Sequence, residues 1–207
     1  MEDGGEPRAL TSAQQARRQR LIDAAMVLGA EGGYEAVQMR DVAARADVAM
    51  GTLYRYFASK DHLLAATLVH WIDQLRDRVT SVPALGSTAP ERVGDVLDRA
   101  LRAMARRPRL AAALTASMAS ADPAAAACQR RAAELVEEII AGAVGDPRPP
   151  DLPDRIRLIG HVWYSSLVGW LNGVNDVASV HDELEIALRL LLTPAQTPVS
   201  EPVGQGA

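Results

Sequence analysis

The chain is poor in the features that hold secreted, membrane-spanning or sheet-rich proteins together. Cys128 is the only cysteine among 207 residues, so no intramolecular disulfide can form, and a reducing, cytoplasmic compartment is expected. The first residues show no apolar stretch of the signal-peptide kind. No run of about 18 uncharged apolar residues occurs, which argues against a membrane-spanning helix and against a membrane partner. One Phe, three Trp and four Tyr amount to 4% aromatics, too few for the packed faces of sheets. Ala, Leu, Val, Arg and Glu take their place, with 48% hydrophobic residues overall. That composition builds a core of packed helices, and an all-α globular fold is expected.

Catalytic and metal chemistry is equally thin. The histidines, His62, His70, His161 and His181, have no metal-ligand spacing, no nucleophile has a base beside it, and no Walker or Rossmann glycine loop is present. No catalytic residue, metal ligand or cofactor is therefore assigned. Cys128 falls in an alanine-rich stretch with helical character, where a thiol reads as inert packing.

The net charge of −4 by itself speaks against a polyanionic partner. Its distribution speaks otherwise. Between Arg8 and Lys60 eight basic residues face five acidic ones, a local +3 that leaves −7 for the rest of the chain. A basic end on an acidic body fits a nucleic-acid-binding head carried by a sensor or dimerisation body.

Residues 1–10 are polar and glycine-rich and read as a flexible arm. A first helix opens at the Thr11–Gln14 capping box, repeats Leu21, Ile22, Ala25 and Leu28 at helical spacing, and stops at Gly32-Gly33. Met39, Val42, Ala43 and Ala46 mark the inner face of a short second helix. After a break at 47–49, Leu53 and Phe57 mark the inner face of a third, so the pair forms a helix-turn-helix. Ser59 caps a fourth helix from Lys60 to about Val79. Further helices are expected over 91–106, 108–118, 123–144, 154–175 and 182–192, with a proline-rich break over 145–153. Residues 193–207 read as a disordered tail. The expected division is an arm over 1–10, a DNA-binding domain over 11–59, a ligand-binding and dimerisation domain over 60–192, and the tail.

The segment 38–64, QMRDVAARADVAMGTLYRYFASKDHLL, has the chemistry of a major-groove reader. With Leu53 and Phe57 turned inward, about 100° per residue sends Gly51, Thr52, Arg55 and Tyr56 outward, with Met50 and Tyr54 on the flanks. Phosphates accept from hydroxyl and cationic groups, while base edges meet Arg and apolar groups. Gly51 lets a backbone approach closely, and a helix start favours phosphate.

This segment closely resembles the DNA-binding head of the TetR family, whose signature is a helix, a Gly-Tyr or Gly-Phe turn, a short helix, a tight turn, then G-T-L-Y-x-Y-F and a lysine. Those elements stand here as Gly33-Tyr34, Asp41-Val42-Ala43, Gly51-Thr52-Leu53-Tyr54-Arg55-Tyr56-Phe57 and Ser59-Lys60-Asp61. The resemblance implies that Thr52, Tyr56 and Lys60 hold phosphates and that Arg40, Met50 and Tyr54 stand where bases are met, with Arg55 a further candidate. Ala58 replaces the usual proline before the cap, and Gln38-Met39 replaces the commoner threonine, which removes a phosphate-binding hydroxyl.

The body resembles the regulatory domain of the same family. Within that family, the head phrase GGYEAVQMRDVAARADVAMGTLYRYFASK and the VWYSSLVGWL run near the C-terminus are most like the actinobacterial repressors of sterol catabolism, which sense CoA thioesters of sterol breakdown intermediates. Ile159, Trp163, Leu167, Trp170, Leu171 and Val174 form one apolar stripe, and Leu75, Met104, Leu114 and Met118 offer flexible apolar surface from elsewhere. A mostly apolar cavity is expected from Leu75, Met104, Leu114, Met118, Trp163, Leu167 and Trp170, with Asn172 or Tyr164 as a polar handle. For any one of these residues ordinary core is the first reading and the cavity wall the second.

Ser165, Ser166, Gly169 and Gly173 permit close approach of another helix, and Leu184, Leu188 and Leu191 give the last helix a matching stripe. The resemblance implies a homodimer whose last two helices pack into a four-helix interface. Two heads are also needed to read a palindrome, since one buries little DNA surface. The expected partners are a double-stranded DNA operator, a small hydrophobic effector of sterol- or acyl-CoA origin, and a second copy of the chain. The alternatives are a helical enzyme, a lipid- or CoA-binding protein without a DNA role, and a helical adaptor. The adaptor would not need the outward Thr-Arg-Tyr face.

Overall fold

The computed structural model describes residues 10–193. The expectations for the arm over 1–10 and the tail over 193–207 lie outside these residues, apart from Leu10 and Thr193. Among the described residues every regular element is helical: α1 (Ser12–Ala36), α2 (Met39–Arg45), α3 (Met50–Tyr56), α4 (Lys60–Thr80), α5 (Ala89–Ala105), α6 (Pro108–Ala116), α7 (Ala126–Val144), α8 (Leu152–Leu171) and α9 (Val177–Leu192), with a 3-10 turn, Ser117–Ala119, after α6.

α1 starts where its capping box lies. The Thr11 amide donates to Gln14 Oε1 at 2.8 Å and the Gln14 amide to Thr11 Oγ1 at 3.3 Å. Regular helix ends after Glu31, because Gly33 turns left-handed at φ 69°, a conformation that side chains with a Cβ resist. Asp47 adopts φ 50° between α2 and α3, a region that Asp tolerates. Arg20 Nε fixes this turn by donating to the Ala46 carbonyl at 3.0 Å. Leu21, Ile22, Ala25, Val42, Ala43, Ala46, Leu53 and Phe57 close the core of the head, with Met39 partly buried against it.

The head does not hang from the body by a linker. One buried cluster runs from Leu21 to Leu192. α1 lies along α6 so closely that a Cβ on Gly29 would stand 3.1 Å from Leu110 Cδ1. Arg109 Nη1 then caps the end of α1 by donating to the Glu31 carbonyl at 2.9 Å. α4 passes through the centre, its first turn in the head and its later turns, from Leu63 to Val79, buried in the body.

The C-terminal boundaries differ from expectation. α8 ends at Leu171, and Gly173, at φ 72°, turns the chain back so that the Val174 amide donates to the Gly169 carbonyl at 2.9 Å. Val174, placed on the apolar stripe by spacing, is therefore 82% exposed. α9 begins at Val177, because Asp176 Oδ1 accepts from the Ser179 amide at 2.8 Å and caps it. α5 likewise begins at Ala89, behind a Thr88–Glu91 capping box.

The small residues of α8 are partly used within the chain. The Ser166 hydroxyl donates to Glu183 of α9, and Gly169 leaves room for the Asn175 side chain, which a Cβ would meet at 2.2 Å. Leu184 and Leu188, expected at a subunit interface, are instead buried in their own subunit. Leu188 Cδ1 lies 3.5 Å from where a Gly94 Cβ would stand on α5. The large apolar residues that α9 leaves exposed are Val177 at its start and Ile186 and Leu190 further along.

Candidate DNA-binding face and effector cavity

α3 is a short helix pinned from behind and open in front. Leu53 and Phe57 are fully buried, whereas Met50, Gly51, Tyr54 and Arg55 are exposed and Thr52 is half-buried. A Cβ on Gly51 would meet nothing within 4 Å. No packing inside the chain requires a glycine there. Arg40, on the first turn of α2, has a side chain 82% exposed and pairs only with its neighbour Asp41, at 3.3 Å, among the described residues.

Tyr56 departs from the expected outward placement. It is half-buried, with its ring 6.5 Å from that of Phe57, and its hydroxyl is enclosed without a hydrogen-bond partner. Three residues after Leu53 is a rotation of only about −60°, so Tyr56 falls on the edge of the buried face. The Arg55 guanidinium lies 5.7 Å from its ring centre.

Lys60 opens α4 beside this face. Its ammonium stands 3.7 Å from the ring centre of Tyr34, a cation–π contact. The Tyr34 hydroxyl donates to Asp61 Oδ1 at 2.7 Å, and that bond to a carboxylate, aided by burial, pushes the phenol up to about 12. His62 packs edge-on against Phe57 at 5.5 Å and accepts from the Ala58 amide at 3.3 Å. Burial, and then the Arg18 charge, lower its pKa, against the opposing pull of Asp122.

The body encloses a cavity of about 300 Å³ between α4, α5, α7, α8 and the end of α6. Trp71, Ile72 and Leu75 of α4, Met104 of α5, Met118 of the 3-10 turn, and Trp163 and Leu167 of α8 line it. Of the residues expected there, Leu114, Trp170 and Asn172 do not line it. Leu114 is fully buried in the core, Trp170 lies outside the cavity, and Asn172 is the exposed cap of α8.

Tyr164 lies on the wall, and the reading from spacing missed four polar companions: Thr115, Glu137, Arg157 and His161. Arg157, His161 and Tyr164 recur at i, i+4 and i+7 on α8, a polar stripe readable in the sequence. Arg157 and His161 are exposed, so this stripe marks the solvent end of the cavity, while the buried indoles mark its depth. Among the described residues no cluster of His, Cys, Asp or Glu could hold a metal ion, and no helix is long and apolar enough to cross a membrane.

A helix-turn-helix with an open polar face, packed on a helical body with a lined cavity, defines a one-component transcription regulator. Residues 21–67 match the family described as bacterial regulatory proteins, tetR family, and residues 86–191 match the tetracyclin repressor-like C-terminal domain. The chain is 41% identical over 91% of its length to the HTH-type transcriptional repressor KstR of Rhodococcus jostii, covering 88% of that protein. It is 39% identical over 88% of its length to the KstR of Mycobacterium tuberculosis, covering 83% of that protein. The crystal structure of a TetR transcriptional regulator from Rhodococcus sp. RHA1 superposes with a TM-score of 0.81 at 32% identity, over 89% of this chain and 100% of that one. Thermus thermophilus FadR, solved in complex with lauroyl-CoA, shares the fold at 24% identity with a TM-score of 0.68, over 91% of this chain and 100% of that one. The chain belongs to the TetR family, and these relatives are transcriptional regulators.

Proposed function

We propose that this TetR-type repressor binds a palindromic operator as a homodimer, sets α3 of each subunit in the major groove, and leaves DNA when an amphipathic effector fills its cavity. The observation that carries the reading is the front of α3. Gly51, Tyr54 and Arg55 face solvent, and the glycine is unexplained by any contact within the chain. Lys60 and Thr52 hold phosphates, and Arg40, Met50 and Tyr54 meet base edges. Arg55 reaches the backbone beside them, and Tyr56 does so after its hydroxyl swings out of its enclosed position.

The effector has an apolar body and an acidic head, the pattern of an acyl or sterol CoA thioester. Trp71, Met104, Trp163 and Leu167 suit the body, and Arg157, His161 and Tyr164 suit the head. Dimerisation uses the outer faces of α8 and α9, where Leu158 is 48%, Ile186 50% and Leu190 69% exposed, apolar surface that a partner would cover. The protein acts in the cytoplasm as a soluble regulator.

Binding to the gene's own upstream DNA, followed by fluorescence anisotropy, tests the reading. Thr52→Ala should weaken all sequences by one factor, and Arg40→Ala should relax preference at one base position. Parent-like binding by both variants, or a strictly monomeric protein, overturns it.

A further inference from the structure

The loop after the 3-10 turn grips the first turn of α4 by two hydroxyl–carboxylate contacts. Ser59 donates to Asp122, and the Ser120 hydroxyl donates to Asp61 Oδ2 at 2.6 Å. The loop is itself held: the Asp122 amide donates to Ser120 Oγ at 3.2 Å, and Gln129 of α7 donates to the Ser117 and Ser120 carbonyls at 2.8 and 2.9 Å. Met118, two residues before Ser120, lines the cavity. The wall of the cavity and the start of α4 thus share one short segment.

Asp61 has both oxygens engaged, Oδ1 by Tyr34 and Oδ2 by Ser120. Its neighbour Lys60 makes no ion pair among the described residues and rests on the Tyr34 ring. A cation on an aromatic face at a half-exposed site is held only weakly, so it is easily handed to a phosphate. A carboxylate with a free oxygen would compete for the same ammonium. Pairs of adjacent residues do form in this chain, as between Arg76 and Asp77 at 3.2 Å.

We propose that Ser120, Asp61 and Tyr34 are positioning residues for DNA binding: by occupying Asp61, the two hydroxyls keep Lys60 on the Tyr34 ring and free for a phosphate. Movement of the loop at Met118, on the cavity wall, withdraws Ser120 and lets Asp61 neutralise Lys60. The inference rests on the reading of Lys60 as a phosphate contact. It differs from that reading in making the availability of Lys60 depend on a residue far from DNA in sequence.

The salt dependence of binding to the gene's upstream DNA tests it without any effector. Lys60→Ala should lower the slope of log affinity against log salt by about 0.9, the loss of one phosphate contact. Ser120→Ala should lower it by the same amount, Ser120→Thr should restore it, and Ser120→Ala combined with Lys60→Ala should match Lys60→Ala alone. Tyr34→Phe, which frees the other Asp61 oxygen and keeps the ring, should act as Ser120→Ala does. A parent-like slope in Ser120→Ala beside a reduced one in Lys60→Ala overturns the inference alone. A parent-like slope in Lys60→Ala overturns the reading of Lys60 and the inference with it. Thermal melts of each variant confirm that the protein compared is folded.

Discussion

The head and the body leave opposite chemistry unpaired. α3 turns a glycine, a phenol and a guanidinium toward water, and water satisfies such groups at little cost. The cavity is lined instead by apolar side chains such as Trp71, Met104 and Trp163, and walls of that kind gain dispersion contacts from a ligand packed against them. On the proposed reading the head is complete before DNA arrives, whereas an effector would stabilise the body by filling it. Occupancy should raise the unfolding temperature of the protein, since a ligand that binds only the folded state stabilises by mass action.

The contrast can be broken most forcefully at Phe57, which is fully buried behind the open face. Phe57→Ala should cost about 3–5 kcal/mol and abolish operator binding, as calorimetry and anisotropy would show. An intact operator affinity would mean that the face does not depend on its core.

Next in size is the polar end of the cavity. Arg157→Ala should weaken an acidic effector such as an acyl-CoA by about 1.5–3 kcal/mol, read by isothermal titration, with operator affinity unchanged. Equal affinity for both proteins would place the acidic head elsewhere.

Gly51→Ala sharpens the comparison from the other side. With open space around a Cβ there, the free protein should keep its stability or gain up to about 1 kcal/mol, while operator affinity falls. A fall in stability would assign the glycine to folding and not to DNA.

The smallest effect concerns pH. Because His62 is held neutral, with its pKa lowered from 6.5, the unfolded chain binds the extra proton first. Its contribution to stability is full above 6.5 and is lost as pH falls through the folded value. His62→Gln should flatten that part of the stability profile, measured by denaturant titration between pH 7 and 5 as a rough window.

The head was readable because its determinants are contiguous. The capping box at Thr11, the stop at Gly32-Gly33 and the Leu53–Phe57 pair each act within a few residues, and the structure shows each of them. Tyr56 is less exposed than its spacing predicts, since a seven-residue helix has an edge as well as two faces. The cavity was harder, because five helices supply its wall. Spacing on α8 located Trp163 and Leu167 but could not tell which of the flanking polar residues turned toward the other helices. The α9 stripe shows the same limit. Leu184 and Leu188 have the spacing of either a core or an interface, and only the position of α5 decides between them.

Lys60 and Trp71 stand on the same unbroken rod, eleven residues apart along α4. At about 1.5 Å per residue the separation is about 16 Å, so a tilt pivoting near the tryptophan by about 5° sweeps the lysine through about 1.4 Å. That displacement is half the length of a hydrogen bond. If Lys60 holds a phosphate as proposed, a slight lean of this one axle takes the basic group out of register with it, and nothing need unfold or melt.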